Sequence, residues 1–313
     1  MSGADSLSFA TPRKKRLNAL HWFCIVGLTP IMLLYSYLRF IPILKTFYMS
    51  LFDWDMVSIR KPFIGFANYT EMFQNETFLI SLKNTTIIAF GILLFSVPLA
   101  LLVANGLVKK IRFQSWYEAI YFLPVIAPMV PVTVIWKWIL DANHGLLNYF
   151  LSFFGVSPKA WLLHPSLAIM SIIMLTVWKT IGYNMLIFLV GLKGISKEYY
   201  EAASIDGATG AKAFLYITLP ILKPITVFVS VITLIHGYNV FSQVYILASD
   251  VQGAPGYVVR VLVYDMIENG FRFFKMGYAS AEAIILFIIV FTLTLIQMGL
   301  AKEKTTAGKG ARR

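Results

Sequence analysis

The chain has 313 residues, of which 58% are apolar and 13% charged, with a formal net charge of +12. Soluble domains run at about 45–50% apolar and about 25% charged, so this composition excludes an ordinary water-soluble domain and points to a bilayer. The positive balance is no nucleic-acid footprint, which would need a basic face on a soluble domain, and a single cysteine, Cys24, excludes a disulfide framework or a cysteine metal site.

A membrane-crossing helix needs about 20 apolar residues. Six such runs occur, near 20–42, 86–108, 117–139, 167–190, 224–247 and 279–300. Only helices or closed barrels satisfy their backbone in lipid, and unbroken runs of this length predict an all-α integral membrane protein. Arg13-Lys14-Lys15-Arg16 ahead of the first run resembles a secretory leader. The run is too long for one, however, and no small-residue cleavage site follows, so it reads as an uncleaved first span. Asn68-Tyr69-Thr70 and Asn75-Glu76-Thr77 match the glycosylation sequon, which matters only in a eukaryotic secretory lumen. Pro124, Pro128 and Pro131 interrupt the third run and predict a kink. Lys179 falls near mid-membrane, where a charge is either functional or structurally paired. Glu282 is an unusual acid near the outer end of the sixth run.

Lys and Arg in the connecting segments set the orientation. Segments 1–19, 109–116, 191–223 and 301–313 hold 16 cations in 73 residues, whereas 43–85, 140–166 and 248–278 hold 8 in 101. Both termini and the 191–223 segment are therefore expected in the cytoplasm, with 1–19 and 301–313 as cytoplasmic ends flanking a six-helix domain over 20–300. Arg260, Arg272 and Lys275 on the outside read as a solvated surface.

Between the fourth and fifth runs lies a polar island, Glu201-Ala202-Ala203-Ser204-Ile205-Asp206-Gly207, continuing to Ile217-Thr218-Leu219-Pro220. Ser196 suits a helix N-cap and Glu198 the first turn after it. Gly207 suits the left-handed residue that ends such a helix. A second short helix is expected from about Ala208, carrying Phe214 and Ile217 on one side, and Asp206 is either part of the exposed motif or a cap for that second helix. The pattern Glu-Ala-Ala, three residues, Gly, nine residues, Ile-x-Leu-Pro resembles the coupling loop of binding-protein-dependent ABC importer permeases. Tyr121-Phe122-Leu123-Pro124, Trp136-Lys137-Trp138, Gly145-Leu146-Leu147-Asn148, Trp178-Lys179, Gly182-Tyr183-Asn184 and Gly277-Tyr278-Ala279-Ser280-Ala281 extend the likeness to the sugar branch that holds the maltose and glycerol-3-phosphate permeases. Ser249-Asp250-Val251-Gln252-Gly253-Ala254-Pro255 departs from the Thr-Gly-Gly-Pro run usual there.

The resemblance implies a type I ABC importer permease fold, with a coupling loop over 193–223 that docks on a cytoplasmic ATPase through Glu201, Ala202, Ala203, Asp206 and Gly207. It also implies an ATPase dimer, a second and paralogous permease subunit, an extracytoplasmic solute-binding protein and a carbohydrate or related polyol as substrate. No phosphate-cradling loop occurs: Gly207-Ala208-Thr209-Gly210-Ala211-Lys212 and Gly308-Lys309-Gly310 both miss the spacing. The chain is thus expected to be non-catalytic and without cofactor, with ATP and magnesium on the partner. His236, Asn239 and Gln243 stand at i, i+3 and i+7 on one face of the fifth span, with Tyr238 nearby, and Tyr183 and Asn184 continue a polar stripe on the fourth. Polar groups in a bilayer tend to face an interior cavity, so these six residues are the substrate candidates; the bland alternative is hydrogen bonding between helices. A stand-alone secondary transporter is the competing function. It predicts ion-coupling carboxylates in the spans and an internal repeat.

Overall fold

The computed structural model describes residues 13–109, 112–248 and 259–307. The first twelve residues, the 249–258 loop and the Gly308-Lys309-Gly310 stretch lie outside the described residues. Among the described residues the secondary structure is helical, apart from two isolated bridges, Phe52 with Phe63 and Asp55 with Lys275. Five helices are long and apolar enough to cross a membrane: His21–Ser50, Glu76–Leu107, Pro165–Lys193, Lys223–Leu247 and Met276–Gly299. Gln114–Ile126 and Met129–Ile139 form a pair bent by 99° that makes a sixth. In chain order these are spans one to six, the bent pair being span three.

Several spans overrun the apolar runs that announce them. Span two begins at Glu76, well outside the predicted 86–108. Asn75 caps it, accepting the Thr77 amide at 2.9 Å, and Glu76 stands in the first turn against the helix dipole. Hydropathy marks the depth of the bilayer, whereas a cap marks the end of the helix. The second sequon asparagine is therefore a helix cap. The first, Asn68, is buried and donates to the Ser50 carbonyl at 2.8 Å and the Phe52 carbonyl at 3.0 Å, so it locks the outer end of span one.

Spans two, four and five form the centre of the bundle. In lipid there is no hydrophobic drive between helices, so close packing and interhelical hydrogen bonds must hold them. Glycines allow that approach. A Cβ on Gly237 would stand 2.7 Å from Ala89 Cα, and one on Gly182 would collide with the Tyr121 carbonyl. One buried cluster gathers Ile88, Ile92, Ile172 and Val244 with Leu140 from the end of span three and Trp161 and Leu162 from the loop after it. Another gathers Leu101, Met185, Phe188, Leu222 and Val229 towards the 193–223 segment. Span one differs, because none of its apolar window is buried in the chain.

The outer loop after span three is organised by buried Asn148. Its Nδ2 donates to the carbonyls of Asp141, Ala142 and Lys159 at 3.3, 3.0 and 2.9 Å. Its Oδ1 accepts the Lys159 amide at 3.1 Å and Trp161 Nε1 at 2.8 Å. Asn148→Ala strands several of these groups, at a cost of about 2–3 kcal/mol. The expected result is a melting midpoint lowered by about 5–10 °C in detergent; an unchanged midpoint contradicts this account of the loop.

Candidate functional site

The two polar stripes predicted from the sequence meet in one cavity of about 410 Å³. Thr176, Lys179, Thr180, Tyr183 and Asn184 of span four face Thr233, His236, Asn239 and Gln243 of span five across it. His236 and Asn239 are open to the cavity, and Tyr183 is 42% exposed. Asn184 has a different position, buried at the cavity floor. Its Nδ2 donates to Ser96 Oγ at 2.9 Å and Thr233 Oγ1 at 3.0 Å, and Ser96 also bonds Thr180 Oγ1 at 3.1 Å. This network joins spans two, four and five. Tyr238 is a correction. It points away from the cavity, 2% exposed, packed with Ala89 and Leu234, its hydroxyl donating to Thr86 Oγ1 at 3.4 Å. One residue along a helix turns about 100° away, so Tyr238 cannot share the face of Asn239.

The cavity sits where two spans are broken. Span five stops being helical at Tyr238 and resumes at Ser242. Asn239 Nδ2 donates back to the Ile235 carbonyl at 2.7 Å and so closes the first half. Span three breaks between Ile126 and Met129, and the reason is written in its prolines. In a continuous helix the carbonyl of residue i accepts from the amide of i+4. The partners of the Pro124 and Ala127 carbonyls would be residues 128 and 131, both prolines without an N–H. Lys179 supplies the missing donors: its ammonium lies 2.9 Å from the Pro124 carbonyl and 2.6 Å from the Ala127 carbonyl. A cation at a helix C-terminus also meets the negative end of the dipole. The mid-membrane charge is thus paired with backbone rather than with a carboxylate.

Outside this cavity, and joined to it through Phe241, lies a second cleft of about 460 Å³ lined by Phe241, Tyr245, Tyr264, Glu268 and Arg272. The rings of Phe241, Tyr245 and Tyr264 lean on one another with centroids 5.5–6.4 Å apart. This ladder escaped the sequence because Tyr264 comes from a different segment, distant in the chain from Phe241 and Tyr245. Of the three cations in this region, Arg272 and Lys275 are exposed, as a solvated surface would be, but Arg260 is not. Arg260 is buried and paired with Asp265 and Glu268, Arg272 reaches Glu268 at 2.6 Å, and Lys275 stands 3.8 Å from Glu71. Glu282, also buried, accepts from Asn269 Nδ2 at 3.1 Å.

The 193–223 segment forms a two-helix knob. Ser196 Oγ accepts the Glu198 amide at 3.4 Å and Lys197–Ile205 follows. Gly207, at φ +75°, ends it: the Gly207 amide bonds the Ser204 carbonyl at 3.2 Å and the Ala208 amide the Ala203 carbonyl at 2.8 Å. These two bonds make a Schellman turn. The second helix starts at Ala211, later than expected, because Gly210 is also left-handed at φ +57°. Gly210 takes its N-cap, so Asp206 does not cap it. Ala203 and Ala213 are buried where the two helices touch, and Tyr200 Oη bonds Thr218 Oγ1 at 2.9 Å. Glu201, Ala202, Asp206 and Gly207 are exposed, beside Ile205 and Tyr216, which are 87% and 75% exposed.

Removing the ammonium tests the broken span. Lys179→Met strands two carbonyls, at about 1–3 kcal/mol each, and is expected to lower the melting midpoint by several degrees. Lys179→Arg keeps the donors and should recover most of the loss. A Met variant as stable as wild type contradicts the capping role.

The comparisons agree with this geometry. Residues 96–304 match the family described as "Binding-protein-dependent transport system inner membrane component". The arabinooligosaccharides transport system permease protein AraP of Bacillus subtilis is 34% identical over 83% of this chain and 82% of its own length. The trehalose/maltose transport system permease protein MalF of Thermococcus litoralis is 30% identical over 92% and 96%. The sn-glycerol-3-phosphate permease protein UgpA of Agrobacterium fabrum is 32% identical over 86% and 91%. In structure, a chain of a bacterial ABC transporter involved in the import of the acidic polysaccharide alginate matches with a TM-score of 0.77 over 93% of this chain and 98% of its own, at 23% identity. The fold is therefore that of an ABC transporter permease, and the chain belongs to the family of binding-protein-dependent transport system inner membrane components.

Proposed function

We propose that this chain is the transmembrane subunit of an ABC importer that passes a carbohydrate, an oligosaccharide or a related polyol, across a bacterial inner membrane. The observation that carries the reading is the cavity: hydrogen-bonding side chains from spans four and five, beside the break in span three, entered past a ladder of aromatic rings. Sugars need donors and acceptors for their hydroxyls and flat apolar faces for their rings, and the cavity offers both. The relatives that transport arabinooligosaccharides, maltose and trehalose support the same class.

Energy comes from ATP and magnesium on a partner, with this chain non-catalytic. Its partners are an ATPase dimer, a second and paralogous permease subunit, and an extracytoplasmic binding protein. Both termini and the knob face the cytoplasm. Glu201, Ala202, Asp206 and Gly207 form the docking face of the motif, with Ala203 packed beneath it inside the knob and exposed Ile205 and Tyr216 filling a groove on the ATPase. The knob can act on the cavity because Leu222, at its end, is buried against the inner half of span four, where a Cβ on Gly191 would collide with Ile225. ATP-driven switching requires only that the ATPase dimer bind the two permease states with different affinity. The stand-alone secondary transporter loses ground, since no carboxylate lines the cavity among the described residues.

Co-purification from the native host tests the reading. Wild-type chain should bring down a second permease and an ATPase subunit with ATP hydrolysis. Gly207→Asp strains a left-handed position by about 1–2 kcal/mol and sets a charge in the knob, so the ATPase subunit should be lost while the chain stays in the membrane. Recovery of the chain alone and without hydrolysis contradicts the proposal. For orientation, a cysteine placed at Ile205 in a Cys24→Ser background should react with an impermeant maleimide only from the cytoplasmic side.

A further inference from the structure

We infer that the cavity between the inner ends of spans two and four and the knob binds a phosphate-bearing anion, supplied by the headgroup of an anionic phospholipid. This site is separate from the solute cavity and rests on the orientation proposed above only for which leaflet supplies the lipid.

The cavity is about 710 Å³ and three lysines converge on it from three elements: Lys109 just past span two, Lys193 at the last turn of span four, and Lys197 at the start of the knob. Asn105 and Tyr200 add donors, and Leu102 gives the wall an apolar side. The positive charge is only partly offset. Glu118 lies 3.7 Å from Lys193. Among the described residues no carboxylate comes within ion-pairing distance of Lys109 or Lys197. Like charges gathered around a shared hollow repel unless an anion fills it, and a phosphate matches several ammonium donors at once.

Depth decides the source of that anion. Lys109 and Lys193 mark the places where two spans leave the apolar layer. Beside them, at the start of span three, Trp116 and Tyr117 are 70% and 48% exposed, as side chains of the headgroup belt are. Basic pockets between membrane helices at the cytoplasmic surface hold anionic headgroups. A soluble phosphate would have no use for the apolar wall. Because Lys197 and Tyr200 belong to the knob, an occupied site ties the knob to span two and the membrane, and lipid composition would tune coupling.

The test uses the intact transporter with its partner subunits, purified in detergent and titrated with phosphatidylglycerol or phosphatidylcholine, with bound lipid read by native mass spectrometry. Wild type should retain phosphatidylglycerol preferentially. Lys109→Gln with Lys197→Gln should weaken that retention about tenfold, whereas Lys61→Gln, on the outer side, should leave it intact. Equal melting midpoints in pure phosphatidylcholine show that the double variant is folded. Unchanged phosphatidylglycerol retention in the folded double variant overturns the proposal. Stabilisation by millimolar inorganic phosphate, without lipid retention, overturns the lipid as source. If the Ile205 cysteine reacts from the outside, the orientation fails, yet lysine-dependent retention still sustains the site.

Discussion

A backbone carbonyl inside a bilayer has no water to bond, and the break in span three leaves two, at Pro124 and Ala127, whose helical donors would be prolines. Everything around the solute cavity depends on how that debt is met. The Lys179 ammonium, reaching across from span four, takes both carbonyls and lets the helix turn by 99° without stranding polar groups. Lys179 and the residues flanking the break, Val125 and Met129, all line the cavity. A discontinuous helix is tolerated at membrane depth only when it is buried in protein or lines a polar cavity, and the second break, in span five, obeys the same rule through Asn239.

The cavity and the knob are the two ends of one mechanical unit. Span four carries Lys179, Tyr183 and Asn184 above and ends in Lys193 below, where the knob begins. Span five leaves the knob at Leu222 and rises to His236 and Asn239. Both walls of the cavity are thus continuous with the knob, the element proposed to meet the ATPase. The Ser96–Asn184–Thr233 network lies between and joins the three central helices.

The sequence made the membrane class, six crossings and the knob legible, because long apolar runs and a left-handed glycine after a capped helix are local signals. Five of the six substrate candidates line one cavity, since helical spacing survives into the fold. Tyr238 failed because adjacency in sequence is opposition in space on a helix. The starts of the long spans failed because Asn75 ends a helix by hydrogen bonding and leaves no mark on hydropathy. The partner of Lys179 was invisible for another reason: it is backbone, so no residue type announces it, although the i+4 relation of Pro128 and Pro131 to the stranded carbonyls could have been read beforehand. The Tyr264 ladder and the pairing of Arg260 join segments distant in the chain, and spacing holds no information about them.

The most direct test is a structure of the assembled transporter, by electron cryo-microscopy, with the solute that stimulates its ATPase trapped inside. The account predicts sugar rings between spans four and five, within hydrogen-bond reach of His236, Asn239 and Gln243, with Lys179 still holding the Pro124 and Ala127 carbonyls. Solute density elsewhere in the chain, with this cavity collapsed, would contradict it.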